Sequence, residues 1–152
     1  MNQKAEAYVY QAGESELRWM GETSTYFLAA GALTGEAFGL VDETALYGES
    51  VPLHRHNDIE SFYVLEGEIT FYLGNQPRKR AGVGTFVHIP GATIHGFRIE
   101  SEVARYLILT TPPHAEFYQA ITLPSAHAVV EGAVIKEACQ KYGVKFCGPL
   151  LG

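Results

Sequence analysis

Two histidines and a glutamate stand close together near the middle of the chain, at His54, His56 and Glu60. Residues two apart on an extended strand point to the same face, so the two imidazoles face the same way. Glu60 follows His56 by four residues, and an even offset or a small bend brings it to that face as well. Three nitrogen and oxygen donors without a cysteine suit a first-row divalent metal ion. Such ions usually take four or more ligands, so another side chain or solvent must complete the set.

A fourth ligand is available further along the chain, at His95. Residues 85–89 have the composition of a strand, Pro90 and Gly91 that of a turn, and His95 begins the next strand. We expect the turn to fold the chain back alongside itself, which would bring His95 opposite the other two histidines. Without these additional residues, a His-x-His pair is equally compatible with two surface histidines on an edge strand.

The first of these stretches resembles the first of the two motifs that define the cupin family. The cupin pattern is a glycine, His-x-His, a glutamate and a second glycine, separated by five, three and six residues. All of these residues are present at the family's spacing, as Gly48, His54, His56, Glu60 and Gly67.

The second stretch resembles the second cupin motif at Gly84, Pro90 and His95. It departs from the family pattern in two places. The glycine after the proline comes one position early, at Gly91, and Ile99 stands where many cupins carry asparagine. Neither position is a metal ligand, so the resemblance to a metal-binding cupin is retained.

The cupin resemblance implies an all-β fold, a single-domain jelly-roll-like barrel with a metal ion in its mouth. The implied ligands are His54, His56, Glu60 and His95. Three imidazoles and a carboxylate accept iron, nickel, cobalt, manganese, copper or zinc, so the resemblance implies one divalent transition metal ion without specifying which. Glu60 can bind the metal, act as a catalytic base, or do both, and the sequence is compatible with each role.

Composition limits the classes of protein to which the chain can belong. Its 152 residues, 47% of them hydrophobic, fit one domain with a sizeable core. A net charge of −6 and the lack of basic clusters argue against binding to nucleic acid or to anionic membranes. No apolar stretch follows Lys4, so we expect no signal peptide, and Cys139 and Cys147 fit reduced thiols. We therefore expect a cytoplasmic protein that binds neither membranes nor nucleic acid.

Short segments rich in β-branched and aromatic residues, separated by glycine and proline, fill the first two-thirds of the chain. They predict a sandwich or barrel over about residues 6–111 within a single domain of residues 1–152. The predicted strands cover residues 7–10, 17–20, 25–30, 37–43, 50–55, 61–66, 69–73, 85–89, 94–99 and 104–110.

A helical segment is predicted after the barrel, over about residues 113–143. It comprises a short helix at residues 114–121 and a longer one at residues 125–141, with Ser125 as its cap and Gly143 as its stop. The tail that follows is apolar, and we expect it to dock on the rest of the protein.

An apolar substrate pocket is predicted beside the metal ligands. Even offsets place Phe62 and Val64 on the face of Glu60, and Phe97 on the face of His95. A hydrophobic, aromatic pocket suits a flat apolar substrate better than a sugar phosphate.

The remaining histidines are interpreted as lying outside the metal site. His88 precedes His95 by seven residues with a turn between, and we interpret it as a core or outer-face residue rather than a fifth ligand. His114 and His127 fall in the helical segment and are predicted to face solvent.

A finer resemblance points to one group of cupins. The phrases Phe62-Tyr-Val-Leu-Glu-Gly-Glu-Ile-Thr-Phe, His95-Gly-Phe-Arg and Tyr142-Gly-Val-Lys-Phe-Cys-Gly-Pro are similar to small single-cupin proteins grouped with bacterial quercetin 2,3-dioxygenases. The resemblance implies cleavage of a flavonol-like aromatic enol by dioxygen. Glu60 would accept the proton of the 3-hydroxyl, and the central ring would open with loss of carbon monoxide.

Other functions remain compatible with the cupin motifs. One is a cupin metalloenzyme of a different reaction class, an isomerase, cyclase or dioxygenase acting on another enol or catechol. Another is a cupin that binds a small molecule without turnover. The family resemblance also implies a homodimer, for which the apolar stretch of residues 26–33 is a candidate contact.

Overall fold

The computed structural model describes residues 4–151, which fold into eleven strands, a short 3-10 turn and two helices. The strands in chain order are β1 (Glu16–Met20), β2 (Thr23–Ala29), β3 (Gly39–Leu46), β4 (Ser50–Arg55), β5 (Glu60–Glu66), β6 (Ile69–Leu73), β7 (Lys79–Ala81), β8 (Phe86–Ile89), β9 (His95–Ile99), β10 (Val103–Thr110) and β11 (Lys145–Gly148). Six of them form one antiparallel sheet in the order β1-β2-β3-β10-β5-β8. The other five form a second antiparallel sheet in the order β11-β4-β9-β6-β7. The all-β jelly-roll-like prediction is confirmed.

The two sheets pack face to face through an aromatic core. Alternation along β5 and β10 turns every second residue inward, and Phe62 and Tyr106 face the opposite sheet. There they meet Phe71 and Phe97 in a cluster whose ring centroids lie 5.0 to 5.9 Å apart. Rings at these separations make favourable edge and offset contacts in addition to burying apolar area.

Most predicted strands are present, with ends shifted by a few residues. Residues 7–10 are the exception and form no strand, although they are apolar and aromatic. Two strands were not expected. β7 is a short, charged edge strand, the kind of segment that propensity does not detect. β11 lies in the apolar tail and pairs with β4, so the tail docks on the protein as a strand.

The chain crosses between the sheets at Pro90 and Gly91. The prediction that this turn folds the chain back alongside itself is wrong, because β8 pairs with β5 in one sheet and β9 lies between β4 and β6 in the other. His95 still comes opposite His54, since the register of the β4–β9 pair places these two residues across from each other.

Two helices, α1 (Pro112–Ala120) and α2 (Gly132–Tyr142), follow the last barrel strand. The hydroxyl of Thr111 caps α1 by accepting the backbone N–H of His114 at 3.2 Å, and prolines fill its first positions. Neither helix of the described residues is long and apolar enough to cross a membrane.

α2 begins later than predicted. It starts at Gly132, after an irregular segment that contains Ser125, so Ser125 does not cap it. Its end at Gly143 is confirmed, because Gly143 has a φ of 70°, a left-handed conformation that glycine adopts without strain. Phe117, Ala138 and Val144 form a small second core that ties α1, α2 and the start of the tail together.

Candidate metal centre

Both sheets contribute to the site that the motifs predicted. His54 lies on β4, His56 directly follows that strand, and His95 begins β9 opposite His54. Glu60 comes from the other sheet, where it begins β5 after a bend at residues 57–58. The bend is needed because the chain changes sheets between His56 and Glu60. The three imidazoles therefore face a carboxylate across the mouth of the barrel.

The four side chains converge on one point. One ligand atom from each of His54, His56, Glu60 and His95 lies within 4.8 Å of all the others. The Nε2 atom of His95 is 3.1 Å from Oε2 of Glu60, and the Nε2 atom of His56 is 3.7 Å from Oε1. All four residues are buried. This geometry brings together every residue that the sequence assigned to the metal.

Backbone carbonyls fix the orientation of all three imidazoles. Each ring uses Nδ1 to donate to a carbonyl two residues away, and the acceptors are Pro52, Asp58 and Thr93, at 2.8, 3.0 and 2.8 Å respectively. With the proton held on Nδ1, the lone pair of Nε2 points into the site in His54 and His56, whereas Nε2 of His95 donates to Oε2 of Glu60. Such outer hydrogen bonds are typical of histidines that bind metal ions, because they set both the tautomer and the ring plane.

The donor set fits a divalent cation. The Nε2 atom of His56 is buried and has no hydrogen-bond partner among the described residues. Leaving a buried polar atom unsatisfied costs about 1–3 kcal/mol, and a cation bound between His56 and Glu60 would remove that cost. Three imidazoles and one carboxylate, with no thiolate among them, could hold a first-row transition metal ion once His95 releases its proton to bind it.

The charge states of His54, His56 and Glu60 suit a cation. Burial lowers the pKa of His56 to about 4, and burial, followed by the charge of His95, lowers the pKa of His54. Both rings are therefore neutral near pH 7, the form that binds metal. Burial alone would raise the pKa of Glu60, but hydrogen bonds from His114 and His95 outweigh burial and hold that pKa well below its usual range. Burial likewise opposes the charged form of His95, whose pKa is nevertheless raised by its hydrogen bond to Glu60.

His114 belongs to the site, and the prediction that it faces solvent is wrong. It is 1% exposed, because α1 packs across the barrel mouth with this residue on its inner face. Its Nε2 atom lies 2.7 Å from Oε1 of Glu60, and the hydroxyl of Tyr118, one turn later, donates to the same oxygen. His114 and Tyr118 are four residues apart on one helical face, a spacing visible in the sequence that could have indicated a shared polar partner.

His114 is oriented differently from the three predicted ligands. Its Nε2 atom donates to Oε1 of Glu60. Its Nδ1 atom, which in the other three rings donates to a backbone carbonyl, has no hydrogen-bond partner in residues 4–151 and lies 3.8 Å from Asp58. His56, Asp58 and His114 form a second group whose ligand atoms lie within 4.8 Å of one another. We interpret His114 as a residue that positions Glu60, because its nearest contact is with that carboxylate.

A cavity of about 440 Å³ opens beside the metal ligands. Its walls are mostly apolar and include Phe97, Ile108, Phe117 and Ile121, and its polar lining includes His54, Glu60, His114 and Tyr118. This volume lies within the range of pockets that bind small molecules.

Only one of the three predicted pocket residues lines this cavity. Phe97 does so, but Phe62 and Val64 lie in the closed core. They point into the barrel on the face of Glu60, as alternation predicts, but Phe97 and Tyr106 cover Phe62 with ring centroids 5.5 and 5.9 Å away. Alternation predicts which side of a strand is inside, but it does not predict which part of the interior is filled.

The other histidines lie outside the site. His88 is exposed on β8 and its Nδ1 atom lies 2.8 Å from the hydroxyl of Ser61, which confirms it as an outer-face residue. His127 is exposed, as predicted, and forms an ion pair with Glu22 at 3.1 Å.

Comparison with known proteins agrees with this architecture. Residues 43–110 match the Cupin_2 family, described as a cupin domain. The chain is 31% identical over 123 residues to quercetin 2,3-dioxygenase of Bacillus subtilis, an alignment that covers 80% of this chain. The alignment covers 36% of that relative, so this chain spans about a third of the relative's length.

Solved structures share the fold at low sequence identity. The polyketide cyclase RemF from Streptomyces resistomycificus superimposes with a TM-score of 0.62 at 22% identity, over 70% of this chain and 80% of RemF. An RmlC-like cupin from Shewanella frigidimarina superimposes with a TM-score of 0.64 at 16% identity, over 76% of this chain and 99% of that protein. Residues 43–110 of this chain therefore match a cupin domain, and the fold as a whole is similar to that of solved cupins.

Proposed function

We propose that this protein is a metal-dependent dioxygenase that cleaves a flavonol-like aromatic enol with dioxygen. The observation that carries the proposal is the buried group of three histidines and a glutamate, of which His54 and Glu60 line a mostly apolar cavity of about 440 Å³. Similarity to a quercetin 2,3-dioxygenase supports the choice of reaction and substrate class.

His54, His56, His95 and Glu60 would hold the metal ion. When bound, a divalent ion would lower the pKa of an enol hydroxyl and fix the resulting anion in the cavity, ready to react with dioxygen. The buried, carbonyl-bonded imidazoles are preorganised for this role, since little side-chain freedom is left to lose.

Glu60 would also accept the proton of the enol. Its low pKa makes it a weak base but keeps it ionised, and only an ionised carboxylate can take up a proton or bind a cation. His114 and Tyr118 both bond to Oε1, so they fix the carboxylate plane and turn Oε2 toward His95. Burial, followed by the charge of Glu60, raises the pKa of Tyr118 well above its usual value, so the hydroxyl stays protonated as a donor.

The apolar walls would bind the ring system and exclude water. Phe97 and Ile108 come from the two facing sheets, and Phe117 and Ile121 come from α1 and the residue that ends it. A flat aromatic molecule fits between such surfaces, whereas a sugar phosphate would leave its charges unpaired against them.

Oxygen uptake on adding quercetin tests the proposal. The protein is stripped of metal and reconstituted separately with iron, nickel, cobalt, manganese, copper and zinc, and metal content is measured in each sample. We expect uptake with bleaching of the flavonol absorption for at least one metal, and loss of both in His54→Ala. Metal-loaded protein that consumes no oxygen with any of these ions would rule out the flavonol dioxygenase.

A further inference from the structure

A second polar group lies in the same cavity, away from the metal ligands. Glu43 lines the cavity, and its carboxylate accepts hydrogen bonds from Tyr106 and Thr25. We propose that Glu43 is a second substrate anchor, which accepts a hydrogen bond from a hydroxyl group at the end of the substrate remote from the metal. This inference rests on the proposed function and narrows its substrate class to enols that carry hydroxyl groups on a distant ring.

Strand register gives the separation between the two anchors. Glu43 on β3 pairs with Tyr106 on β10, and Glu60 on β5 pairs with Thr110 on the same β10 strand. Tyr106 and Thr110 are four residues apart, and at ~3.3 Å per residue the two rows lie ~13 Å apart along the strand. A molecule of two or three rings is long enough to extend from one row to the other.

The carboxylate of Glu43 has acceptor capacity to spare. The Tyr106 hydroxyl donates to Oε1 at 2.6 Å and the Thr25 hydroxyl donates to Oε2 at 2.9 Å. A carboxylate accepts about four hydrogen bonds, so each oxygen has a free lone pair after these contacts. Since Glu43 is among the residues that line the cavity, a ligand hydroxyl entering the cavity can reach this carboxylate.

The two protein donors also preorganise the anchor. Both hydroxyls come from strands that flank β3 in the first sheet, so Glu43 is held from both sides. Burial raises the pKa of Glu43, as expected for a carboxylate facing an apolar space. A carboxylate in such a place costs desolvation energy that a donor from the ligand would offset.

Binding of two related flavonols to metal-loaded protein under anaerobic conditions tests the anchor without relying on turnover. Quercetin and 3-hydroxyflavone share the enol end, but only quercetin carries hydroxyls on its outer rings. We expect quercetin to bind at least about tenfold more tightly, as a hydrogen bond to a charged group allows. In Glu43→Gln this preference shrinks to about twofold, while the affinity for 3-hydroxyflavone changes little.

Glu49→Gln is the matched control. Glu49 lines the same cavity, but it lies in the loop between β3 and β4, where its Oε2 accepts the backbone N–H of Leu46, and not on a strand between two hydroxyl donors, so we expect this variant to keep the preference for quercetin. An equal loss of preference in both variants would overturn the anchor, because the preference would then depend on the total charge of the cavity and not on Glu43. If Glu43→Gln does not fold, Glu43→Asp withdraws the carboxylate by one methylene and is expected to lose the preference in the same way.

The binding and oxygen-uptake results together distinguish failure of the Glu43 anchor from failure of the proposed dioxygenase reaction. Equal affinity of the wild-type protein for both flavonols overturns the anchor, whether or not oxygen is consumed. A preference for quercetin that disappears in Glu43→Gln, in protein that consumes no oxygen, supports the anchor and overturns the dioxygenase. Failure of both flavonols to bind overturns both the anchor and the proposed dioxygenase.

Discussion

At the scale of single residues, the site is organised around the carboxylate of Glu60. This one side chain contacts the histidines that would bind metal and also receives hydrogen bonds from α1. Its ionised state therefore depends on neighbours from both sheets and from the helix that covers them. Two predictions follow from these contacts.

Replacing Tyr118 with phenylalanine removes one donor from Glu60 without changing the shape of the helix face. Losing a hydrogen bond to a buried charge corresponds to about 1.5–3 kcal/mol, so we expect the rate of oxygen uptake to fall about tenfold or more. Metal content should stay near that of the wild type, because no metal ligand is removed.

Tyr72→Phe is the control for this experiment. The hydroxyl of Tyr72 is buried but has no hydrogen-bond partner in the described part of the chain, so its removal should leave the rate unchanged. A Tyr118→Phe protein as active as Tyr72→Phe would mean that Tyr118 does not position Glu60.

The stability of the metal-free protein should depend on pH through His56. Its pKa of about 4 in the folded protein lies below the 6.5 expected of the unfolded chain. Between these values the unfolded chain takes up a proton that the fold resists, so the free energy of unfolding decreases as pH falls from 6.5 toward 4. Protonation of His56 can lower the free energy of unfolding by at most about 3 kcal/mol, at ~1.4 kcal/mol per pKa unit.

His56→Gln should flatten this decline. Urea unfolding at several pH values between 7 and 4, with chelator present, measures the free energy of unfolding for both proteins. Parallel curves for the wild type and the variant would show that protonation of His56 makes no contribution.

The grouping of the four candidate metal ligands was predictable because their identities and spacing carry the signal. His54 and His56 share a face by strand geometry alone, and Glu60 and His95 were added by the motif pattern. His114 was missed because its burial depends on where α1 docks, and the spacing of His114 and Tyr118 does not show what the helix packs against. Glu43 was missed for a similar reason, since its hydroxyl partners come from two other strands.

At the scale of elements, the loop that follows β4 and the loop that precedes β9 pack tightly against each other beside the candidate ligands. The backbone N–H of Ala92 donates to the carbonyl of His56 at 2.7 Å. A Cβ atom placed on the neighbouring Gly91 would lie 2.2 Å from the carbonyl oxygen of Asn57. The connection from β4 to β5 therefore needs a glycine at position 91, the residue that departs from the usual cupin spacing.

Gly91→Ala should disturb the metal site without touching a ligand. The added methyl would push apart the loops next to His56 and His95. Such a clash costs about 1–3 kcal/mol. We expect metal affinity to fall about tenfold or more by titration. Gly82→Ala is the control, because a Cβ atom at Gly82 has no atom within 4 Å among the described residues. Equal affinities in the two variants would contradict this account of Gly91.

Strand positions were more predictable than strand partners. β4 and β6 match their predicted bounds, because alternating and β-branched residues define them locally. Pairing depends on contacts that are distant in the sequence. For this reason the turn at Pro90 was wrongly predicted to form a hairpin, and the pairing of β11 with β4 was not anticipated.

At the scale of the whole molecule, the barrel is filled unevenly. One part of the interior is closed by the aromatic core, and the other remains open as a cavity bounded by both sheets, both helices and the tail. The all-β class and the terminal helical segment were predictable from composition and from the positions of glycine and proline. The open cavity was not predictable, since it arises from how the helices and β11 lie over the barrel.

A metal ion should stabilise the whole fold, because its ligands come together only when both sheets are packed. At a free metal concentration one hundred times the dissociation constant, the gain is about 2.7 kcal/mol. Thermal unfolding with and without metal measures it. We expect a higher Tm with metal, reversed by chelator and absent in His54→Ala. A metal-dependent rise that persists in His54→Ala would place the ion elsewhere.

Titration of the metal-free protein with cobalt(II), followed by visible absorption, is the most direct test of the metal centre. We predict one ion per chain, an absorption spectrum of nitrogen and oxygen ligands without thiolate bands, and loss of binding in His54→Ala and in His95→Ala. Two ions per chain would give the group of His56, Asp58 and His114 a metal of its own. Binding that survives both substitutions would contradict the assignment of the centre to His54, His56, Glu60 and His95.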